Sequence, residues 1–381
     1  MQIDPEHDLR HLRLLCERQQ PLTRVDRVAD ARPDWGWVDG WLCHARSDYF
    51  RIGAYRSVDD EARFLISQRE PALVMLIVAQ VDGGEAALLS LRAEPGLIGG
   101  VSLTTTIQST PSNFKREHGG KATPFIDVAY NPSTYGTVVH DSVQFDWGSW
   151  YVQKRKRFLV VRLNEAVEAP EGFVWVCRET LGALLQEDHL VTNDLRVAAT
   201  LPPSRHDADS QCGEDPAEPP GMLLRTGIPE EDCRGARIGH FRTETTTREV
   251  RSWVQPLLVP RDVMRIILCR RKVGGRYVYA LQQRSEAGLL GLMVWFPASV
   301  SGGNEAHEQT VSTSAEGGRF WRYRIDMVVR TLGGEDAAII DSGDWLDSGQ
   351  VNALIAAPSR TSLELRMAWS LVARDDPPGA R

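Results

Sequence analysis

A weak internal repeat is the feature of this sequence that most restricts its fold. Residues 92–97 (RAEPGL) resemble residues 284–289 (RSEAGL) at an offset of 192, whereas later landmarks recur at an offset of 170. The later landmarks are Gly148 with Gly318, Trp175 with Trp345, and 195–198 (LRVA) with 365–368 (LRMA). Two copies of one unit predict a tandem pair of similar domains.

The two copies differ by one polar block. The fall in offset means that the first copy holds a net 22 residues that the second lacks. Residues 104–120 (TTTIQSTPSNFKREHGG) supply hydroxyls, amides, a phenyl ring, cations and an imidazole, a mixture that suits a sugar nucleotide. The alternative is a long polar surface loop, since loops longer than about 12 residues are often functional or disordered. The block therefore indicates where a ligand site would lie.

Length and composition limit the class of protein. The 381 residues predict a first half (1–201), a linker (202–237) rich in Pro and acidic residues, and a second half (238–381). A net charge of −7 disfavours nucleic-acid binding, and six scattered cysteines indicate free thiols in a reducing compartment. Residues 1–20 lack the apolar core of a signal peptide, and no apolar run approaches the roughly 20 residues needed to cross a bilayer. We expect a cytoplasmic protein without membrane contact.

The hydrophobic pattern predicts α+β layers, because strands are followed by helices in each copy. Predicted helices are 7–18, 180–186 and 193–199, the last with an Asn193 cap, and predicted strands are 73–78, 86–91, 158–162, 264–269, 277–281 and 327–330. The segment that contains Trp35, Trp37 and Trp41 is too polar for a continuous strand and is expected to cap a core edge. Residues 243–249 (TETTTRE) indicate an exposed strand or hairpin.

Two charged motifs have competing interpretations. Alternation along 154–157 (KRKR) sends Lys154 and Lys156 to one face of a strand and Arg155 and Arg157 to the other. One pair could then reach an anionic ligand, while a charged edge strand that discourages aggregation is an equally common alternative. The string Arg-x-Glu-x-Gly, present in both copies, indicates a strand-ending turn with a buried ion pair rather than a catalytic site.

Missing motifs exclude several enzyme classes. The sequence has no G-x-G-x-x-G, no P-loop, no G-x-S-x-G and no H-E-x-x-H. Dinucleotide-dependent redox enzymes, P-loop kinases and zinc hydrolases are therefore disfavoured.

Two long strings resemble motifs of the NDP-hexose 2,3-dehydratases. They are 101–120 (VSLTTTIQSTPSNFKREHGG) and 141–157 (DSVQFDWGSWYVQKRKR), joined more weakly by 252–256 (SWVQP). The matching residues are Leu103, Thr106, Gln108, Thr110, Ser112, Asn113, Arg116, His118, Gly119, Gly120, Gln144, Gly148, Ser149, Trp150, Arg155 and Arg157. The resemblance implies a tandem duplication of a Nudix-like domain with a degenerate second copy, paired as a homodimer and acting without a metal or other cofactor.

The resemblance also implies a reaction. The substrate would be a dTDP-4-keto-6-deoxyhexose, and the product a 3,4-diketo-2,6-dideoxy sugar in 2,6-dideoxysugar biosynthesis. The C4 ketone acidifies the C3 proton, a base removes it, and the C2 hydroxyl leaves as water. Such a site needs a general base, a proton donor and hydrogen-bond donors to the enolate oxygen. The labile product would pass to a 3-ketoreductase.

Site residues are carried over from the matching motifs. His118 is the expected acid/base group, and Arg116 and Lys154 are expected to contact the oxyanion or the diphosphate. The expected substrate-binding residues are Gln108, Thr110 and Asn113 for the hexose, Phe114 and Trp150 for the base, and Arg155 or Arg157 for phosphate. Thr106, Trp253 and Gln255 are expected to bind substrate without a more specific role.

The sequence departs from the family pattern in places that keep an alternative open. The family's W-x-Q-P string is replaced around residues 68–71 (QREP), and residues 295–304 (WFPASVSGGN) stand where a second polar string is expected. The alternative is a catalytically altered or inactive homologue that binds a sugar nucleotide as an accessory or regulatory protein. A Nudix pyrophosphohydrolase is disfavoured because the clustered metal-binding glutamates are absent.

Overall fold

The computed structural model describes residues 5–374 except 30, 47–48, 57–61, 69, 83, 117–121, 206–221, 224–232, 234, 246–249, 301–306, 334–339 and 341. The described helices are α1 (Pro5–Gln19), α2 (Pro111–Phe114), α3 (Ile126–Tyr130), α4 (Pro132–Tyr135), α5 (Arg178–Leu184), α6 (Asn193–Ala198), α7 (Ser348–Ala356) and α8 (Leu363–Trp369), with 3₁₀ turns at Gln20–Leu22 and Ala287–Leu289. Most of the remaining regular structure is sheet.

Strands of the first half and the linker are β1 (Thr23–Val28), β2 (Trp35–Val38), β3 (Trp41–His44), β4 (Arg51–Arg56), β5 (Ala62–Ser67), β6 (Ala72–Val81), β7 (Gly84–Ala93), β8 (Val101–Thr104), β9 (Ile107–Ser109), β10 (Gly136–Phe145), β11 (Arg155–Leu163), β12 (Phe173–Cys177), β13 (Ser204–Arg205) and β14 (Met222–Leu223). Those that follow are β15 (Ala236–Thr245), β16 (Ser252–Pro260), β17 (Met264–Val273), β18 (Arg276–Arg284), β19 (Val294–Pro297), β20 (His307–Ser314), β21 (Arg324–Thr331) and β22 (Asp344–Asp347).

These strands form four sheets. An eight-stranded sheet has the order β12-β7-β6-β11-β10-β13, with β8 on β7 and β9 on β6. A six-stranded sheet has the order β19-β18-β17-β21-β20, with β22 also on β18. The three-stranded sheet β1-β15-β16 joins the N-terminal segment to the start of the second half, and a five-stranded sheet contains β2, β3, β4, β5 and β14. The mixed α and β composition is confirmed.

The strongly periodic elements were predicted correctly, and three local expectations were wrong in whole or in part. Residues 243–245 form a strand as predicted, but Thr243 and Thr245 are buried because β15 is the middle strand of its sheet, and 246–249 lie outside the described residues. The Trp35–Trp41 segment forms the hairpin of β2 and β3, because Asp39 and Gly40 adopt positive φ angles and let two short strands pair. Trp35 and Trp41 are both buried, so the hairpin contributes side chains to the hydrophobic core. The cap of α6 is Thr192, whose hydroxyl accepts from the Leu195 N–H, rather than Asn193.

The two large sheets repeat one strand arrangement. In each, a hairpin (β6–β7 or β17–β18) lies beside a strand parallel to its first member, β11 or β21. Trp175 pairs with Leu88, and Trp345 pairs with Ala280, which reproduces the offsets of 170 and 192. Between β8 and β10 the first half carries β9, α2, α3 and α4, and β20 follows β19 after only nine intervening residues, 298–306. The polar block thus builds elements that lie between two otherwise matching strands.

Two glycines of the repeated string join the halves reciprocally. The Gly96 N–H donates to the Gly317 carbonyl at 2.9 Å, and the Gly288 N–H donates to the Gly148 carbonyl at 2.8 Å. Each glycine also accepts a backbone hydrogen bond from the opposite half, at 2.8 Å in both cases. A Cβ atom on Gly96 would lie 1.6 Å from the Phe320 carbonyl oxygen, so the backbones approach too closely for any side chain.

We expect Gly96→Ala to destabilise the protein. The added methyl group must push apart two hydrogen-bonded backbones, at a cost of about 1–3 kcal/mol or more. Chemical denaturation measures the loss, with Gly36→Ala as the matched control because a Cβ there meets no atom within 4 Å. Equal unfolding midpoints for the two variants would contradict the close approach.

Candidate functional site

A cleft lies where the two halves meet the N-terminal sheet. Its empty volume is about 1260 Å³, part of it open to solvent. The polar lining residues are His44, Tyr49, Arg92, Glu94, Gln108, Ser109, Thr110, Ser112, Asn113, Arg116, Lys156, Asp194, Trp253, Gln255, Glu316 and Arg319, and the apolar ones include Trp35, Phe50, Ala72 and Val254. A cleft lined by aromatic rings and several convergent polar groups is typical of a small-molecule site.

Five charged side chains form a buried cluster at one end of the cleft. The Lys154 ammonium lies 3.1 Å from an Asp146 carboxylate oxygen and 2.9 Å from a Glu316 oxygen. The Lys156 ammonium donates to both oxygens of Asp194, at 2.8 and 3.1 Å, and lies 3.2 Å from Asp146. Glu316 belongs to the second half, so the cluster is completed across the contact between the halves.

Burial and charge act in opposite directions on these groups. Burial would raise the pKa of Asp146 and of Glu316, but Lys154 and Lys156 together hold both pKa values below their usual range. For Asp194, burial dominates over the attraction of Lys156, and its pKa is raised. Burial would lower the pKa of Lys156, yet the surrounding carboxylates raise it, so its ammonium stays charged.

Aromatic rings and amides form another part of the wall. Trp35 packs on Phe50 with ring centroids 4.9 Å apart, and the Arg319 guanidinium lies 3.9 Å from the centroid of Phe50. Trp253 donates its indole N–H to the Gln255 carbonyl oxygen at 2.9 Å, and the Gln255 amide donates to the Gly318 carbonyl at 3.0 Å. Flat apolar surfaces beside fixed amides and a cation can hold an aromatic base and an anion.

Comparisons with known proteins assign the first half to a family. Residues 15–201 match the NDP-hexose 2,3-dehydratase family. The dTDP-4-dehydro-6-deoxy-alpha-D-glucopyranose 2,3-dehydratase of Streptomyces violaceoruber is 28% identical over 86% of this chain and 90% of its own length. The enzyme of the same name from Saccharopolyspora spinosa is 28% identical over 87% of this chain and 83% of its own, and that of Amycolatopsis orientalis is 25% identical over 72% and 66%.

The predicted resemblance is confirmed. A crystal structure of an ADP compounds hydrolase aligns with 40% of this chain and 74% of its own, at 14% identity and a TM-score of 0.20. That score is too low to bear on the fold, so the Nudix-like assignment stays a prediction.

The first family motif converges on the cleft. Gln108, Thr110, Asn113 and Arg116 line it together with Trp253 and Gln255 of the weaker third string. Arg92 donates to the Gln108 carbonyl at 2.6 Å, while the Gln108 side chain accepts from the Thr104 hydroxyl at 2.6 Å. The positions of these residues as binding groups stay a prediction, and His118 lies outside the described residues.

Some residues of the family motifs take no part in lining the cleft. They are Thr106, Phe114, Trp150, Arg155 and Arg157. Thr106 accepts from the Ile77 N–H and donates to the Leu88 carbonyl inside the sheet. Phe114 packs edge-on to Tyr130 at 6.3 Å, outside the aromatic wall.

Trp150 and the basic strand also have packing or ion-pair roles. Trp150 packs against the rings of Phe320 and Tyr323, which makes it part of the contact between the halves. Arg157 forms a two-point ion pair with Asp141 at 2.9 and 2.7 Å, and Arg155 is half-buried with a partner of its own.

The predicted alternation along residues 154–157 is confirmed, but Lys156 rather than Lys154 lines the cleft. Lys154 and Lys156 enter the same buried cluster, and Arg157 lies on the opposite face. Lys154 is almost wholly buried under its two carboxylates and beside the Tyr151 ring, 4.1 Å away, whereas Lys156 lines the cleft. Direct contact of Lys154 with ligand phosphate stays untested and has no support from this position.

The second family motif helps to join the halves. The Gln144 amide donates to the Ile355 and Ala357 carbonyls at 3.2 Å, and its oxygen accepts from the Ser359 N–H at 3.2 Å. A Cβ on Gly148 would lie 2.6 Å from Leu289. The motif therefore couples the first-half sheet to second-half residues.

Several cleft residues were not predicted as site residues, among them the charged residues Asp194, Glu316 and Arg319. Asp194 lies in the first turn of α6. Acidic residues are common there because they compensate the helix dipole, so its position in the sequence does not indicate a function. Glu316 is 162 residues from Lys154, and no sequence pattern connects them. The ion pair predicted within Arg-x-Glu-x-Gly is confirmed, because Arg92 and Glu94 approach to 2.7 Å.

Membrane-spanning helices and metal-ligand clusters are both absent from the described residues. No helix among them combines the length and apolar character required to span a membrane. Within the same residues, no group of three or more His, Cys, Asp and Glu side chains is arranged to hold a metal ion. Metal independence stays a prediction from the resemblance.

We expect Lys154→Met to destabilise the protein strongly. The change leaves Asp146 and Glu316 buried without their shared cation, which costs about 3–5 kcal/mol for a buried ion pair. Arg162→Met is the control, because its pair with Glu85 is largely exposed and contributes less than about 1 kcal/mol. Similar losses in chemical denaturation for both variants would contradict the importance of the buried cluster.

Proposed function

We propose that this chain removes water across C2–C3 of an NDP-4-keto-6-deoxyhexose, with dTDP as the nucleotide. The observation that carries the proposal is the convergence of Gln108, Thr110, Asn113 and Arg116 of the first family motif on one cleft. The dehydratases of Streptomyces violaceoruber and Saccharopolyspora spinosa align over most of this chain. These relatives favour the dehydratase over a non-catalytic sugar-nucleotide-binding homologue.

The cleft has the chemical groups that this substrate needs. The amides of Gln108 and Asn113 and the hydroxyl of Thr110 suit the hexose oxygens, and Arg116 suits a phosphate group. The wall formed by Trp35, Phe50, Trp253 and Arg319 suits an aromatic base and the adjoining anion. The buried charged cluster at one end offers proton-transfer groups away from bulk water.

The arrangement of the two halves supports a common origin. We infer that they arose by tandem duplication of one domain, with a degenerate second copy, as the matching strand orders and the reproduced offsets suggest. The Nudix-like identity of that domain, the boundaries 1–201, 202–237 and 238–381, homodimer formation, a downstream 3-ketoreductase and metal independence belong to the same proposal.

The proposed reaction is tested directly by conversion of substrate. The protein is incubated with dTDP-4-keto-6-deoxyglucose and a 3-ketoreductase with its reductant, because the diketo product is labile. We expect a 2-deoxy sugar nucleotide that is absent when this protein is omitted. Unchanged substrate with the complete mixture would instead favour the non-catalytic homologue.

A second test addresses the acid/base group carried over from the family motif. We expect His118→Asn to reduce turnover by roughly 100-fold or more, the usual effect of losing a general acid or base. His307→Asn, at an exposed position on β20, is the matched control. Turnover of the His118 variant near that of the control would remove His118 from the mechanism.

A further inference from the structure

The charged cluster in the cleft contains more carboxyl groups than ammonium groups. Asp146, Asp194 and Glu316 surround Lys154 and Lys156 within 4 Å, so the carboxyls outnumber their directly paired cations by one. All five side chains are largely buried. Arg319 also acts electrostatically on Glu316, and Arg366 acts on Asp146 and Asp194. A carboxylate of such a cluster can accept a proton from a bound ligand.

Asp194 is the member of the cluster best placed to take that proton from a ligand. It lines the cleft, and in the described part of the chain its carboxylate accepts hydrogen bonds from Lys156 alone. Glu316 accepts from both Lys154 and the Tyr151 hydroxyl, at 2.9 and 3.1 Å. The competing cleft carboxylate, Glu94, is paired with Arg92 at 2.7 Å.

Among its described residues, the second half keeps two neighbouring carboxyls, Glu286 and Glu364, but it has no ammonium group at the register of Lys156. Lys156 pairs with Ala72 in the first sheet, and Ile325 pairs with Met264 at the equivalent register of the second sheet. An apolar side chain therefore stands where the first half has an ammonium group. The second half also lacks the polar block, so the loss of the cation and the loss of the ligand-binding elements occur together.

We propose that Asp194 is the catalytic base that takes the C3 proton of the substrate, and that Glu316 of the second half is a positioning residue that sets its basicity. This inference rests on the proposed dehydratase function. Glu316 acts through Lys154 and Lys156: its carboxylate holds the first ammonium and lies 3.9 Å from the second, which in turn orients Asp194.

The proton and electron changes balance without any co-reactant. Asp194 takes the C3 proton, and the C3–H electron pair forms the C3–C4 double bond of an enolate whose charge rests on the C4 oxygen. The enolate then reforms the C4 ketone, its C3–C4 double-bond electrons form the C2–C3 double bond, and the C2–O bond breaks. The departing hydroxide takes the proton held by Asp194 and leaves as water, which restores the carboxylate. The resulting C3 enol tautomerises to the 3,4-diketone by moving its hydroxyl proton to C2.

Lys156 can stabilise the negative charge that develops on the substrate during this reaction. Its ammonium lies beside Asp194 in the cleft and can stabilise an enolate oxygen, the usual role of a fixed cation in a buried site. Charged and titratable groups face Asp194 from several elements. They are Glu94 after β7, Lys156 on β11, Asp146, Tyr151 and Lys154 between β10 and β11, Glu316 and Arg319 between β20 and β21, and Arg366 on α8.

The sign of the expected pH effect follows from charge. The negative charges of Glu316 and Asp146 raise the pKa of Asp194, and removing either charge lowers it. A weaker base is deprotonated at lower pH but accepts the C3 proton less readily. Removal of Glu316 should therefore move the acidic limb of the pH profile of kcat/KM to lower pH while kcat falls.

The experiment compares three variants in the full-length protein, using the reductase-coupled assay. Asp194→Asn should lower kcat by roughly 100-fold or more, with dTDP binding by calorimetry largely retained. Glu316→Gln should lower kcat by roughly tenfold and move the acidic limb down by about half a pH unit or more. The control Glu308→Gln, in a surface ion pair with Arg265, should change neither quantity.

A further variant covers the case in which Glu316→Gln fails to fold. Asp146→Asn removes a charge from the first half and should move the acidic limb in the same direction. Near-wild-type kcat for Asp194→Asn, or unmoved acidic limbs in folded Glu316→Gln and Asp146→Asn, would overturn this inference while leaving an active dehydratase. An inactive wild-type protein would overturn the proposed function and this inference with it.

Discussion

The close approach of the two halves at Gly96 and Gly288 is the constraint on which the site depends. Each glycine exchanges backbone hydrogen bonds with the turn of the opposite half, and each position is too crowded for a Cβ atom. Glu316 lies directly before the Gly317 carbonyl that accepts from Gly96. The same contact that joins the halves therefore delivers Glu316 to Lys154.

Burial strengthens the electrostatic effect of the Glu316 carboxylate on its neighbours. Fully solvated carboxylates and ammonium groups would interact weakly, whereas in this buried cluster they shift one another's pKa values strongly. Lys154 and Lys156 keep Asp146 and Glu316 ionised, while burial leaves Asp194 with a raised pKa. Groups of the same chemical type are thus given different protonation behaviour by their positions alone.

The asymmetry between the halves has a physical consequence for where ligands can bind. The first half carries the polar block and Lys156, whereas Ile325 occupies the register of Lys156 in the second half. In the second half burial raises the pKa of Glu286 to about 8, with the neighbouring Glu364 adding to the effect. A buried carboxyl pair of this kind favours the protonated form of one member.

The sequence by itself determined the main strands, the recurrence of the short landmark strings and the location of the polar block. Hydrophobic periodicity and local strings such as Gln108–Arg116 are short-range properties, and the structure confirms the strands and brings the block to the cleft. The β2–β3 hairpin was not predicted, because it depends on positive φ angles at Asp39 and Gly40 rather than on a long apolar run.

Only the tertiary structure decided which charged residues share the site. Lys154 and Lys156 are equivalent in the sequence pattern, yet packing buries the first under two carboxylates and leaves the second in the cleft. Glu316 contacts Lys154 although 162 residues separate them in the sequence. Asp194 is indistinguishable in the sequence from any acidic residue in the first turn of a helix. The interaction energy of two charges depends on their separation and on their burial, and the local sequence determines neither.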